Sequence, residues 1–259
     1  MQKTTINSIL KRKNKNPIIC LTAYSKVIAQ IIDKYCDIIL VGDSVGMVLY
    51  GMKSTKEVKI ETMIIHAKTV KEATKKSLVV VDMPYKTYTS KFTAYKNAKL
   101  LLKLTKCDAI KLEGGKNIVK IIKYLTKKGI PVMGHIGLLP QTTTNFKVKG
   151  RNEKEKKKIL EDAKVISNAG VFAIIIECVV EDLARKITKT VNVPTIGIGA
   201  SKYCDGQILV TDDILGLSDL SPKFVRKYVN LKKIIEKSVK NYSNDVKTKS
   251  FPYLKNIYK

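Results

Sequence analysis

The hydrophobic runs along this 259-residue chain predict an α/β fold, a closed (β/α)8 barrel of the TIM type. Three observations carry that prediction. Short runs rich in Val and Ile alternate with longer amphipathic stretches from end to end, the pattern of strand–helix units around a parallel sheet. Eight such runs can be counted at a spacing of about 32 residues, and such barrels usually take about 250 residues. No Pro/Gly/Ser-rich linker divides the chain, so a single domain over 1–259 is expected, with a basic tail from about 241. A doubly wound open sheet is the alternative, and the even spacing disfavours it.

The elements follow in order. Residues 17–23 are a first apolar run, and 27–35 an amphipathic helix. Residues 38–42 are apolar throughout, as in a strand covered on both faces, and 61–76 form the next helix. Three consecutive valines in 78–83 precede Asp82, and 93–105 return to helical spacing. The runs 109–112 and 131–136 are strands on either side of a helix over 117–127. A charged helix over 153–168 leads to 173–177, with three consecutive isoleucines. A helix over 183–190, strands over 194–199 and 207–210, and a terminal helix over 222–240 complete the series.

Composition bounds the function. With 44% hydrophobic residues the chain can build a core, and no apolar run reaches the roughly 18 residues that span a bilayer. The first residues lack the apolar stretch of a signal peptide, so a cytoplasmic location and no membrane partner are expected. Cys20, Cys36, Cys107, Cys178 and Cys204 are odd in number and widely spaced, which excludes a disulfide framework or zinc ribbon. The net charge of +27 invites a nucleic-acid reading. Its make-up argues against one: only Arg12, Arg151, Arg185 and Arg226 of 49 basic residues are arginine, and Trp is absent. The lysine, isoleucine and asparagine excess reads as coding bias, and no specific nucleic-acid partner is expected. Much of the charge sits at the ends, where residues 222–259 carry eleven basic side chains against Glu236 and Asp245.

A barrel builds its site at the C-terminal strand ends. Those ends read Val41-Gly42-Asp43-Ser44, Val81-Asp82-Met83, Lys111-Leu112-Glu113-Gly114, Gly134-His135-Ile136-Gly137 and Ile176-Glu177-Cys178. Each acid alone is as readily a helix cap or salt-bridge partner. Together, Asp43, Asp82 and Glu113 offer hard oxygen ligands from adjacent strands, the chemistry Mg²⁺ takes. Lys111 shares the face of Glu113 by the period of two, and either neutralises the acids or binds a substrate carboxylate. His135 is a core residue or an active-site contact, whereas His66 lies in a helical stretch and reads as structural. Glu177 ends an apolar run and is either a general base or a buried acid paired with a lysine.

These blocks, with Leu21-Thr-Ala-Tyr24, Pro131-Val-Met-Gly-His-Ile-Gly-Leu138, Lys147-Val-Lys-Gly-Arg151, Ile196-Gly-Ile-Gly-Ala200 and Asp205-Gly-Gln207, resemble the ketopantoate hydroxymethyltransferase family from about residue 17 to 217. The resemblance implies a barrel of the phosphoenolpyruvate/pyruvate type and a homo-oligomer, commonly a decamer. It implies transfer of a one-carbon unit from methylenetetrahydrofolate to 3-methyl-2-oxobutanoate, a keto acid, through an enolate, with Mg²⁺. Asp43, Asp82 and Glu113 match the family's residues around the metal. Asp43, Ser44, Asp82, Lys111 and His135 match its substrate contacts, and Glu177 its proton acceptor. Other enolate-handling barrels, lyases or phosphonopyruvate mutases, are the alternative; the blocks Lys-Leu-Glu-Gly-Gly and Gly-His-Ile-Gly-Leu-Leu-Pro-Gln favour the hydroxymethyltransferase. The chain departs from the family at Ser25, Ser201 and Asp212 and in a stretch near 141–147 that reads as shortened. Those departures touch loop geometry and the folate side rather than the acids.

Overall fold

The computed structural model describes residues 3–143, 146–218 and 222–258, which fall into two compact units, 3–210 and 211–258. The first unit is the barrel. Its elements are α1 (Ile6–Leu10), β1 (Ile18–Thr22), α2 (Lys26–Ile32), β2 (Ile38–Val41), α3 (Val45–Leu49), α4 (Ile60–Ala73), β3 (Leu78–Asp82), α5 (Lys91–Thr105) and β4 (Ala109–Glu113). They continue as α6 (Val119–Lys127), β5 (Val132–Gly137), α7 (Glu153–Asn168), β6 (Ala173–Glu177), α8 (Glu181–Thr190), β7 (Thr195–Ile198) and β8 (Gly206–Leu209). Every strand pairs in parallel with the next, and β1 pairs with β8, closing the sheet as the alternating runs predict.

Two apolar layers hold it. Alternate strand residues Ile38, Leu40, Leu78, Val80, Ala109, Met133, Ala173 and Ile175 fill the lumen, while their neighbours Ile39, Val41, Val79, Val81, Ile110 and Leu112 pack outward on the helices. The helices bury one stripe each. In α4 the buried positions Met63, Ala67, Val70 and Ala73 recur every three or four residues, and in α5 so do Ala94, Ala98, Leu101 and Thr105. Ser90 caps α5 by accepting from Thr93 N at 3.1 Å, and Asn152 caps α7 by accepting from Glu155 N at 2.9 Å. The five-residue helices α1 and α3 have no sequence-level periodicity and are additions to the expected order. α1 plugs the lower end of the lumen with Ile9, which is fully buried.

The second unit contains α9 (Thr211–Ile214) and α10 (Leu231–Lys247). The terminal helix expected over 222–240 begins nine residues later, where Asn230 caps it by accepting from Lys233 N at 3.1 Å. It then runs past 241, where a tail was expected to begin. No residue of α10 is buried; Ile234, Ile235, Val239, Tyr242 and Val246 are exposed.

Candidate active site

The period of two that fills the lumen also delivers the site. On β3 the inward series is Leu78, Val80, Asp82; on β4 it is Ala109, Lys111, Glu113; on β5, Met133 then His135; on β6, Ala173, Ile175, Glu177. Each series is apolar below and ionisable at its C-terminal end, and the register sets Asp82 beside Lys111 and Glu113 beside His135. Asp43 and Ser44 follow β2 at the same mouth. The structure thus brings together all seven residues singled out from the sequence.

Lys111 is the hub. Its Nζ lies 2.8 Å from Asp82 Oδ1 and 3.9 Å from Glu113 Oε1. Asp82 Oδ2 accepts from Asp43 N at 3.0 Å, whereas Oδ1 faces the ammonium as a charge without an aligned hydrogen bond. Glu113 Oε2 accepts from Gln141 N at 3.0 Å, and Oε1 lies 3.4 Å from His135 Nδ1. His135 Nε2 lies 3.2 Å from Glu177 Oε2 and is likewise unaligned. Ser44 Oγ is 2.7 Å from Tyr24 Oη.

Asp43, Asp82, Lys111, Glu113 and His135 are buried together, so they set each other's protonation. Burial pushes the Asp43 carboxyl well up, and the neighbouring Asp82 and Glu113 charges push it further. Burial opposes ionisation of Glu113 too, yet His135, Lys111 and the Gln141 N–H hold its carboxyl below the usual range. His135 is drawn down by burial and by Lys111, whose Nζ lies 3.3 Å from its Nδ1, but Glu113 and Glu177 outweigh them and raise it to about 9. Lys111 keeps its proton because its three acids outweigh its burial.

The cluster fits a hard divalent cation. Its donors are carboxylate oxygens, Asp82 Oδ1 lacks a hydrogen bond, and added positive charge would relieve the repulsion on Asp43. Among the described residues no three His, Cys, Asp or Glu side chains form a ready cage.

Two expectations change in detail. Glu177 is not sealed by its apolar run: its side chain is 17% exposed, the most open of the four acids, and its partner is His135 rather than a lysine. His66 is structural as expected. Its Nδ1 donates to Tyr24 O at 2.6 Å and its Nε2 accepts from Tyr50 Oη at 2.8 Å.

Three residues of the site escaped sequence reasoning. Tyr24 ended a quoted block and Gln141 another, but neither had a role; Tyr88 gave no signal. Of the departures, Ser25 caps α2 by accepting from Ile28 N, and buried Ser201 donates to Glu181 Oε1 at 3.0 Å. Asp212 lies in α9. The stretch 141–147 includes Thr144 and Asn145, which lie outside the described residues.

Known proteins agree with this geometry. The chain is similar to 2,3-dimethylmalate lyase, a member of the phosphoenolpyruvate mutase/isocitrate lyase superfamily (TM-score 0.63, 12% identity, 98% of this chain and 88% of that one). It is similar also to phosphonopyruvate hydrolase in complex with oxalate and Mg²⁺ (TM-score 0.62, 10% identity, 97% and 93% covered). At such identity the likeness concerns the barrel. Sequence relatives go further: 3-methyl-2-oxobutanoate hydroxymethyltransferase of Pelagibacter ubique (strain HTCC1062) is 55% identical over 258 residues, covering all of both chains. That of Bartonella tribocorum (strain CIP 105476 / IBS 506) is 49% identical over 263 aligned positions, covering 100% of this chain and 97% of its own. The ketopantoate hydroxymethyltransferase profile matches residues 3–253, spanning every strand that carries an acid of the mouth, and the chain belongs to that family.

Proposed function

We propose that this enzyme transfers a hydroxymethyl group from methylenetetrahydrofolate to 3-methyl-2-oxobutanoate, forming ketopantoate for pantothenate and coenzyme A synthesis. The observation that carries the reading is the buried set of three carboxylates around one ammonium at the barrel mouth, in a chain of this family. Asp43 and Asp82 would hold Mg²⁺, with Glu113 adding the third negative charge. When bound, the ion acts as a Lewis acid on the keto acid's oxygens and so acidifies the hydrogen on its branched carbon. Lys111 supplies positive charge and His135 a ring nitrogen for the substrate's carboxylate and for the developing enolate oxygen. Ser44, with its hydroxyl held by Tyr24, adds a neutral contact. Glu177, the most open acid, takes the proton, and His135 Nε2, 3.2 Å from its Oε2, positions it. The enolate carbon then bonds to the folate's one-carbon unit, and water replaces the folate nitrogen on that carbon, so that the carbon–nitrogen bond breaks, tetrahydrofolate leaves and the hydroxymethyl group remains.

A cavity of about 260 Å³ begins one residue past Glu113 and is lined by Gly114, Gly137 and side chains of both charges, Lys149 and Lys158 beside Glu155 and Asp162, so it offers the folate room beside the mouth rather than a net positive field. A homo-oligomer, a decamer by family resemblance, is supported by the exposed apolar side chains of α10. Five free, buried cysteines suit a cytoplasmic setting. The lyase and mutase alternative has only the shared barrel behind it, at 10–12% identity. Incubation with the keto acid, methylenetetrahydrofolate and Mg²⁺ tests the reading: ketopantoate should form, and none at any Mg²⁺ concentration would overturn it.

A further inference from the structure

Gln141 is 1% exposed, in the loop after β5, and its side chain reaches across the mouth. Gly137, at φ +94°, starts that loop; a Cβ there would lie 2.4 Å from Glu177 O, so only glycine lets the chain leave β5 in this direction. A turn in which Thr142 N and Thr143 N both donate to Leu139 O then places Gln141. Its Nε2 donates to Asp43 Oδ2 at 2.7 Å and to Met83 O at 3.0 Å, its backbone N donates to Glu113 Oε2 at 3.0 Å, and its Oε1 accepts from Tyr88 Oη.

Both N–H donors of the amide are therefore used, and its orientation is fixed. The flipped amide would set its oxygen against the Met83 carbonyl and an Asp43 oxygen, and would leave the Tyr88 hydroxyl facing an NH₂. One residue thus ties β2, β3 and β4 together at the level of the acids. It occupies Oδ2 of Asp43 and Oε2 of Glu113 at once.

We propose that Gln141, oriented by Tyr88, is a positioning residue for cation binding: its side-chain amide fixes Asp43 through Oδ2 while its backbone N–H fixes Glu113 through Oε2. The inference rests on the Mg²⁺ reading above. Partners of metal ligands placed this way typically account for about 10- to 100-fold in metal affinity.

Calorimetric Mg²⁺ titration of the full-length protein without substrates, beside melting with and without the ion, tests it. Gln141→Met keeps the volume and removes both donors. It should weaken Mg²⁺ binding about 10- to 100-fold and melt near wild type without metal. It should also raise the Mg²⁺ concentration for half-maximal turnover while kcat recovers at saturating Mg²⁺, a split that mere loosening of the loop would not give. Tyr88→Phe, which frees the amide to flip, should weaken binding in the same direction by less, and it decides the matter if Gln141→Met does not fold. Wild-type protein that binds Mg²⁺ and loses it in Asp82→Ala, with Gln141→Met or Tyr88→Phe binding as wild type, overturns this inference alone. Wild-type protein that binds no Mg²⁺ at millimolar concentration overturns both the inference and the reading it rests on.

Discussion

The two ends of the barrel each gather buried aspartates, yet they treat them in opposite ways. At the N-terminal end every acid is answered. Asp205 accepts from Asn14 N, Thr195 N and the Thr195 hydroxyl and pairs with Lys13 at 2.8 Å. Asp37 accepts from Ile19 N and pairs with Arg12, Asp108 accepts from Val79 N and pairs with Lys71, and Asp33 accepts from the backbone N–H groups of Lys75, Lys76 and Ser77. At the C-terminal mouth the acids face one another, with one lysine and one histidine among them, and Asp82 Oδ1 and His135 Nε2 lack aligned hydrogen bonds. Burial acts at both ends, but the backbone donors carry the Asp33 carboxyl below its usual range while neighbouring carboxylates drive that of Asp43 up. The lower end is built for stability and the mouth for a charged guest, the division expected of such barrels.

Substitutions should separate the two ends. The largest effect falls at the mouth: Asp82→Ala removes a proposed ligand and should lower turnover by at least about 1000-fold with loss of Mg²⁺ binding, and because it also takes the 2.8 Å partner from buried Lys111 it lowers metal-free stability too. Ketopantoate formation and calorimetry check it, and retained activity with wild-type metal dependence would refute the assignment. Next, Glu177→Gln should slow exchange of the keto acid's branched-carbon hydrogen by about 100- to 10,000-fold and leave keto-acid affinity nearly unchanged. Unaltered exchange would put the base elsewhere. At the lower end, Asp205→Ala strands Lys13 and three N–H or O–H donors and should cost roughly 3 kcal/mol in urea unfolding, with kcat of the folded fraction preserved. The smallest effect concerns pH. Because Asp33 is depressed in the folded state, its contribution is present above the unfolded value of about 3.9 and fades as pH falls through the lower folded value. Asp33→Asn should therefore narrow the stability gap to wild type as acid is added below about pH 4; a gap constant with pH would show that the backbone donors do not hold the charge.

The same comparison explains what the sequence could disclose. The barrel was legible because the period of two and the strand–helix alternation are written in every unit, from the valines of β3 to the isoleucines of β6. The acids of the mouth were legible because an ionisable residue interrupts an inward apolar series at its upper end. Their number, three beside a lone lysine, marked them as something other than caps. Gln141, Tyr88 and Tyr24 were not legible as partners, since a loop amide that reaches two other strands depends on a turn set by Gly137 and on register, neither of which has a periodic signature. Glu177 was expected to be enclosed because of the isoleucines before it; at the last position of β6 its side chain clears the apolar wall. The aspartates at the lower end were given no role in the sequence, Asp205 standing only as part of a quoted block, because each precedes its strand or ends its helix, where an acid is ordinary. The start of α10 was misjudged because Phe224, Val225, Tyr228 and Val229 mimic a helical stripe before the Asn230 cap.

Hydrogen exchange on 3-methyl-2-oxobutanoate in deuterated water, with Mg²⁺ and without any folate, tests the central claim most directly. It isolates what the mouth does from what the co-substrate adds. The account predicts deuterium at the branched carbon that requires both Mg²⁺ and this protein and that disappears in Asp82→Ala. Exchange that proceeds equally with chelator present, or that survives in Asp82→Ala, would contradict it.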